Sequence, residues 1–158
     1  GEIDGESYIF LSDERFKALV DEGEFLEYAQ VHNYWYGTLK STVRNAMREG
    51  FDVLMDVDVQ GAEQLRSYVL NAEGTDLIRR GYVDLFIAPP SMDELERRIV
   101  ERGTDSEEVI SRRLHNAKVE MEAWGKYQFL LVNDDLDVAY DKMKCIVRSE
   151  RLRTSSSI

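Results

Sequence analysis

The chain has 158 residues, enough for one domain with a sizeable core, and its 43% hydrophobic and 32% charged content is that of an ordinary globular protein. Twenty Lys and Arg against 31 Asp and Glu give a formal charge of −11, which argues against a nucleic-acid or anionic-membrane surface while permitting a local basic pocket. The single cysteine, Cys145, excludes an intramolecular disulfide and fits a reducing cytoplasm, and no apolar run approaches the roughly eighteen residues of a membrane span.

In chain order, Tyr8-Ile9-Phe10-Leu11 reads as a short strand, after which Ser12 caps a helix with Phe16, Leu19 and Val20 on its apolar face and Gly23 as its stop. Residues 25–32 read as a strand and residues 33–37 as a turn or hairpin. Leu39, Val43, Ala46 and Met47 mark a helix ending at Gly50. Residues 51–58 read as a strand, followed by a helix over residues 61–70 and a polar connection over residues 71–81. A buried strand over residues 83–88 stops at Pro89-Pro90. Ser91 with Glu94, and Thr104 with Glu107, form capping boxes that open two highly charged helices. A last strand over residues 128–132 precedes a helix whose inner face is Leu136, Ala139, Tyr140, Met143, Ile146 and Val147. Strands alternating with helices make the chain α/β with a mostly parallel sheet.

The segment Val53-Leu54-Met55-Asp56-Val57-Asp58-Val59-Gln60-Gly61-Ala62 carries the sharpest chemical signal. Residues i and i+2 of a strand share a face, so Asp56 and Asp58 project together from its C-terminal end, where open α/β sheets bind ligands. Two carboxylates there suit a hydrated Mg²⁺ or a sugar hydroxyl; they equally suit the start of the next helix. Arg98 and Arg102 lie one helical turn apart and Arg113 falls on the next helix. Their guanidinium forks can hold phosphate oxygens, or simply pair with Glu94 and Glu101 on a solvated face. Asn133-Asp134-Asp135 can cap the final helix, and Asn133 can offer its amide to a base or ribose. Tyr8, Tyr34, Trp35 and Tyr36 suit packing, but tyrosine hydroxyls also donate well to a phosphate monoester. Glu27 among them can accept a pair of N–H bonds, such as the N1–H and N2–H₂ that guanine offers and adenine does not. His32 and His115 have no spacing suited to zinc. Neither a nucleophile elbow nor a G-x-x-x-x-G-K-[S/T] loop occurs anywhere in the sequence.

Eight segments in order then resemble the guanylate kinase family. They are Gly1-Glu2-x-x-Gly5-x-x-Tyr8-x-Phe10, Gly23-Glu24-Phe25-Leu26-Glu27, Asn33-Tyr34-x-Tyr36-Gly37-Thr38 and Asp56-Val57-Asp58-Val59-Gln60-Gly61, then Phe86-Ile87-Ala88-Pro89-Pro90-Ser91, Glu101-Arg102-Gly103-Thr104-Asp105-Ser106, Arg112-Arg113-Leu114 and Val132-Asn133-Asp134-Asp135-Leu136. Each is weak alone; together and in this order they are specific. The resemblance implies an α/β P-loop nucleoside monophosphate kinase fold with a parallel core sheet, a small mixed-sheet GMP-binding subdomain (residues 1–50), a core (residues 51–90 and 125–158) and a helical lid (residues 91–124).

It also implies transfer of the γ-phosphoryl of ATP to GMP with Mg²⁺. Tyr8 and Tyr36 would donate to the GMP phosphate, Glu27 and Thr38 would read guanine, and Asp58 would lie beside bound GMP. Asp56 would lie near the Mg²⁺ shell, Arg98, Arg102 and Arg113 would bring charge to the transferring phosphoryl, and Asn133 would lie at the adenine of ATP. Two departures accompany the match. About nine extra residues fall between Gly61 and Ala88, within the tolerance of surface loops. The family's first strand, P-loop, first helix and two phosphate-binding arginines are expected upstream of Gly1, so these 158 residues alone are expected to be inactive and to lack the strand beside Asp56. The competing reading is a guanylate-kinase-like scaffold domain that binds a protein partner. Retention of Arg98, Arg102, Arg113, Asn133 and both aspartates argues for the enzyme.

Overall fold

The computed structural model describes residues 8–31, 33–101 and 106–153, which fall into two compact units, one up to Arg80 and one from Gly81.

In the first unit, α1 (Asp13–Asp21) begins as the sequence dictates, with the Ser12 hydroxyl accepting from Arg15 N–H at 3.2 Å. It ends in a Schellman turn, Glu24 N–H bonding to Leu19 C=O and Gly23 N–H to Val20 C=O, with Gly23 at φ 69°. Strands β1 (Phe25–Val31) and β2 (Tyr34–Leu39) pair antiparallel, with Glu27 opposite Thr38 and Ala29 opposite Tyr36. Of the turn and the hairpin expected over residues 33–37, the structure has the hairpin: 34–37 belong to its second strand, and Asn33 just before them adopts φ 73°. The described part of this sheet is purely antiparallel, so the mixed pairing expected of it is not seen there. Phe16 stacks on Phe25 at 4.6 Å and, with Leu19, forms the core against the inner face of the hairpin. Gly37 is required opposite Tyr28, because a Cβ there would lie 2.8 Å from the Phe25 ring and 2.9 Å from the Glu27 carbonyl.

Helix α2 (Lys40–Arg48) follows β2 directly, and a second Schellman turn closes it at Gly50. Residues 51–58 then run without a strand ladder. Met55 and Val57 are half-buried and Asp56 and Asp58 exposed, as the alternation requires, but no described strand lies alongside to take up their backbone groups. Similarly, the strand expected at residues 8–11 reduces to a single bridge at Tyr8, and Ile9, Phe10 and Leu11 are exposed. Helix α3 (Val59–Asn71) packs on β1 through the buried Ala62 and Leu65. The connection expected over residues 71–81 contains a short helix, α4 (Leu77–Gly81), anchored by buried Ile78.

The second unit is a parallel pair, β3 (Leu85–Ala88) and β4 (Phe129–Val132), with α5 (Met92–Glu101), α6 (Glu107–Met121) and α7 (Leu136–Glu150). Asp84, 8% exposed, ties the strand entries together: its carboxylate accepts from Gln128 N–H at 2.8 Å and from the Tyr82 hydroxyl at 3.0 Å. Ser91 caps α5 through Glu94 N–H, but the Glu94 carboxylate turns to arginines instead of completing the box. The cap of α6 is Ser106, which accepts from Val109 N–H; Thr104, expected in that role, lies outside the described residues. On α7 only Ala139 of the expected inner face is buried, while Leu136, Tyr140 and Val147 are exposed. A two-stranded described sheet is too narrow to cover a helix of 15 residues. No helix among the described residues is long and apolar enough to cross a membrane.

Candidate functional site

Each unit gathers a distinct set of the residues singled out by the sequence. In the first, cross-strand register brings Thr38 beside Glu27, and the Thr38 hydroxyl donates to Glu27 Oε1 at 2.6 Å. The other carboxylate oxygen, Oε2, lies at the start of α3, 3.4 Å from where a Cβ on Gly61 would project. That Cβ would also lie 3.2 Å from Val57 Cβ, so glycine at this position lets the start of α3 approach Glu27 and Val57 closely. Asp58 is the N-cap of α3, its Oδ1 accepting from Gly61 N–H at 2.8 Å, which is the helix-start role the sequence also offered for it. Tyr8 and Tyr36 meet edge to face with ring centroids 5.7 Å apart, and both are exposed. Five residues expected to act on one nucleotide (Tyr8, Glu27, Tyr36, Thr38 and Asp58) thus occur in the same unit, on elements fixed by strand pairing and capping.

The first unit also holds a network the sequence did not disclose. Arg44 of α2 donates to the Tyr68 hydroxyl at 2.6 Å and to Asp76 Oδ2 at 3.0 Å, and the Tyr68 hydroxyl donates to the same Asp76 oxygen at 2.9 Å. Lys40 sits over the Tyr68 ring at 4.9 Å. Burial pushes the Tyr68 hydroxyl pKa up. Burial also opposes ionisation of Asp76, but the Arg79 N–H, Arg44 and Tyr68 donors outweigh it and leave the carboxyl below its ordinary range. The longer 71–81 connection is thereby pinned to both α2 and α3.

In the second unit, a cavity of about 530 Å³ opens at the C-terminal ends of β3 and β4, where parallel sheets present ligand sites. Arg98 of α5, Arg113 of α6 and Asn133 after β4 all line it. Arg98 bonds to Glu94 through Nε at 2.6 Å, and its Nη1 and Nη2 donate to the carbonyls of Asn133 and Asp134. Guanidinium has five N–H donors, so one remains on each terminal nitrogen among these described contacts. Arg97 brackets the other side of Glu94 and bonds to Glu101, and these two arginines, Arg97 foremost, hold the Glu94 carboxyl down to about 2. Arg97 is committed to carboxylates on both sides, whereas Arg98, also paired with Glu94, and Arg113 line the cavity. The cap of α7 is Asp135, which leaves the Asn133 side chain uncommitted to helix capping. Arg102 lies outside the described residues.

Among the described residues no group of three His, Cys, Asp or Glu converges into a metal cage. A Mg²⁺ that keeps its waters and binds mainly to phosphates needs only one or two carboxylates, and exposed Asp56 meets that lesser requirement.

Comparison with known proteins bears on these two sets together. The family model described as guanylate kinase matches residues 1–150. The guanylate kinase of Shewanella sp. (strain MR-7) is 41% identical over 158 residues, covering 100% of this chain and 72% of that protein. That of Vibrio cholerae serotype O1 is 43% identical over 153 residues, covering 97% of this chain and 69% of that protein. Among solved structures, the guanylate kinase from Anaplasma phagocytophilum superposes with a TM-score of 0.70 at 29% identity, over 99% of this chain and 71% of that one.

Proposed function

The chain belongs to the guanylate kinase family, and from that membership we propose how its residues divide the ATP-dependent phosphorylation of GMP to GDP. GMP is bound by the first unit. Glu27, whose carboxylate Thr38 already holds, accepts guanine N1–H and N2–H with its two oxygens. Before GMP arrives, Thr38 holds the carboxylate in place; once guanine's donors take over, its hydroxyl can turn to the guanine carbonyl. Tyr8 and Tyr36 donate to the GMP phosphate, and the second oxygen of Asp58 is available to the nucleotide's hydroxyls.

ATP is handled by the second unit, with Asn133 at the adenine and Arg98, Arg102 and Arg113 supplying positive charge to the transferring phosphoryl. The nucleophile is a phosphate oxygen of GMP, already anionic, so the chemistry needs alignment and charge neutralisation and no strong base. Mg²⁺ supplies further neutralisation of the phosphate oxygens when bound, and Asp56 holds its water shell. A cytoplasmic location belongs to the same reading, and the lone Cys145, which needs no oxidising compartment, supports it.

The observation that carries this reading is the Thr38–Glu27 bond, a carboxylate held in place by a hydroxyl donor where α3 approaches it closely at Gly61. Glu27→Gln replaces one acceptor with a donor aimed at guanine's own N–H. Calorimetric titration should show GMP affinity falling at least tenfold, about 1.4 kcal/mol, with ATP affinity unchanged and the preference for GMP over AMP reduced. Equal GMP affinity in the two proteins would remove the assignment of guanine to this site.

A further inference from the structure

We propose that Gln64 is a positioning residue for guanine recognition, acting through the backbone of β1 and touching no substrate itself. Gln64 projects from the same face of α3 as Gly61 and buried Leu65, one helical turn beyond the glycine that fronts Glu27. Its amide bonds twice to a single residue of β1: Oε1 accepts from Tyr28 N–H at 3.1 Å, and Nε2 donates to Tyr28 C=O at 3.0 Å. Tyr28 directly follows Glu27. Its backbone groups point away from β2, so on this edge of the hairpin the glutamine amide stands in for one residue of a neighbouring strand. Thr38 fixes the Glu27 carboxylate from one side of β1 and Gln64 fixes the adjoining peptide from the other. A displacement of the strand edge would carry both acceptor oxygens off the line of guanine's two donors, and recognition of a paired donor edge is sensitive to displacements of about 1 Å.

This inference rests on the assignment of guanine to Glu27, and a four-protein comparison separates the two. GMP and ATP affinities are measured by calorimetry in the full-length protein for wild type, Gln64→Met, Glu27→Gln and the double variant. Methionine preserves length and apolar packing while removing both bonds to Tyr28. Gln64→Met should weaken GMP binding by about tenfold and leave ATP binding unchanged. In the Glu27→Gln background the same substitution should add less than about twofold, because the group it positions is already lost. Thermal stability should fall equally in both backgrounds, separating positioning from folding. If Glu27→Gln alone leaves GMP affinity unchanged, the base assignment itself fails. If Glu27→Gln weakens GMP binding but Gln64→Met does not, or the two effects simply add, the role of Gln64 is overturned and the base assignment stands. Gln64→Glu, which keeps the acceptor for Tyr28 N–H but cannot donate to its carbonyl when ionised, serves should the methionine variant not fold. Failure of both to fold would make Gln64 a determinant of folding and overturn the proposal.

Discussion

The two units hold their functional side chains in opposite ways. In the first, Glu27, Thr38 and Asp58 are fixed by neutral donors and by elements whose geometry is decided locally: a strand register, a helix cap, a glycine without a Cβ. In the second, Arg98 is held by a carboxylate and two backbone carbonyls at the wall of an open cavity. On the proposed function the difference matches two recognition problems. A base edge is read by acceptors that must already be in place, since a misplaced buried acceptor leaves a donor unpaired. A phosphoryl group in flight needs positive charge whose exact partner is exchangeable, and a guanidinium braced by some donors can offer the others.

The largest effect expected from breaking this contrast lies in the second unit. Arg113→Ala and Arg102→Ala should each lower kcat by roughly 10²-fold or more, the scale for losing one donor to developing charge, while KM for GMP changes only a few-fold. Initial rates at saturating ATP check this, and an unchanged kcat would return the residue to a solvated helix face.

A smaller effect concerns the Arg44–Tyr68–Asp76 network of the first unit. Asp76→Asn removes the charge that pairs Arg44 and caps α4, and should cost about 1–3 kcal/mol of stability at neutral pH, measured by urea unfolding. The folded-state pKa of Asp76 lies below its ordinary value near 3.8. Its ionised form therefore contributes fully above that value, and the contribution disappears as pH falls through the folded value below it. The stability gap between wild type and Asp76→Asn should accordingly be constant from neutral pH down to about 4 and close below that. A gap that stays open in acid would show that shape, not charge, ties the connection down.

The smallest effect is a direct reading of how tightly the arginine face is paired. NMR titration of the Glu94 side chain should find its midpoint near 2, and Arg97→Gln should move it upward, since Arg97 is its foremost partner. An ordinary carboxylate midpoint would mean that the brace on Arg98 is looser than its bond lengths indicate.

Local rules made much of this legible. Ser12, Gly23, Gly50 and Asp135 punctuate helices as their side chains and backbones require, and the Glu27–Thr38 pairing follows once the hairpin register is set. What escaped depends on neighbours far along the chain. Residues 33–37 read as a turn or a hairpin, and only the pairing decides for the hairpin, with Gly37 a strand residue making room for Phe25. The Arg44–Tyr68–Asp76 network and the Gln64 bonds to Tyr28 join residues 8 to 36 positions apart, and no periodicity marks them. Residues 51–58 alternate like a strand, but alternation records which face is covered and cannot supply a hydrogen-bonding partner.

The division of labour is tested most directly by initial-rate kinetics against GMP concentration at saturating ATP, run side by side on Glu27→Gln and Arg113→Ala of the full-length protein. Glu27→Gln should raise KM for GMP by about tenfold or more with kcat within a few-fold of wild type, and Arg113→Ala should do the reverse, lowering kcat by about 10²-fold with KM little changed. If both substitutions act on the same parameter, base reading and charge stabilisation are not separated between the two sets of residues, and the account is wrong.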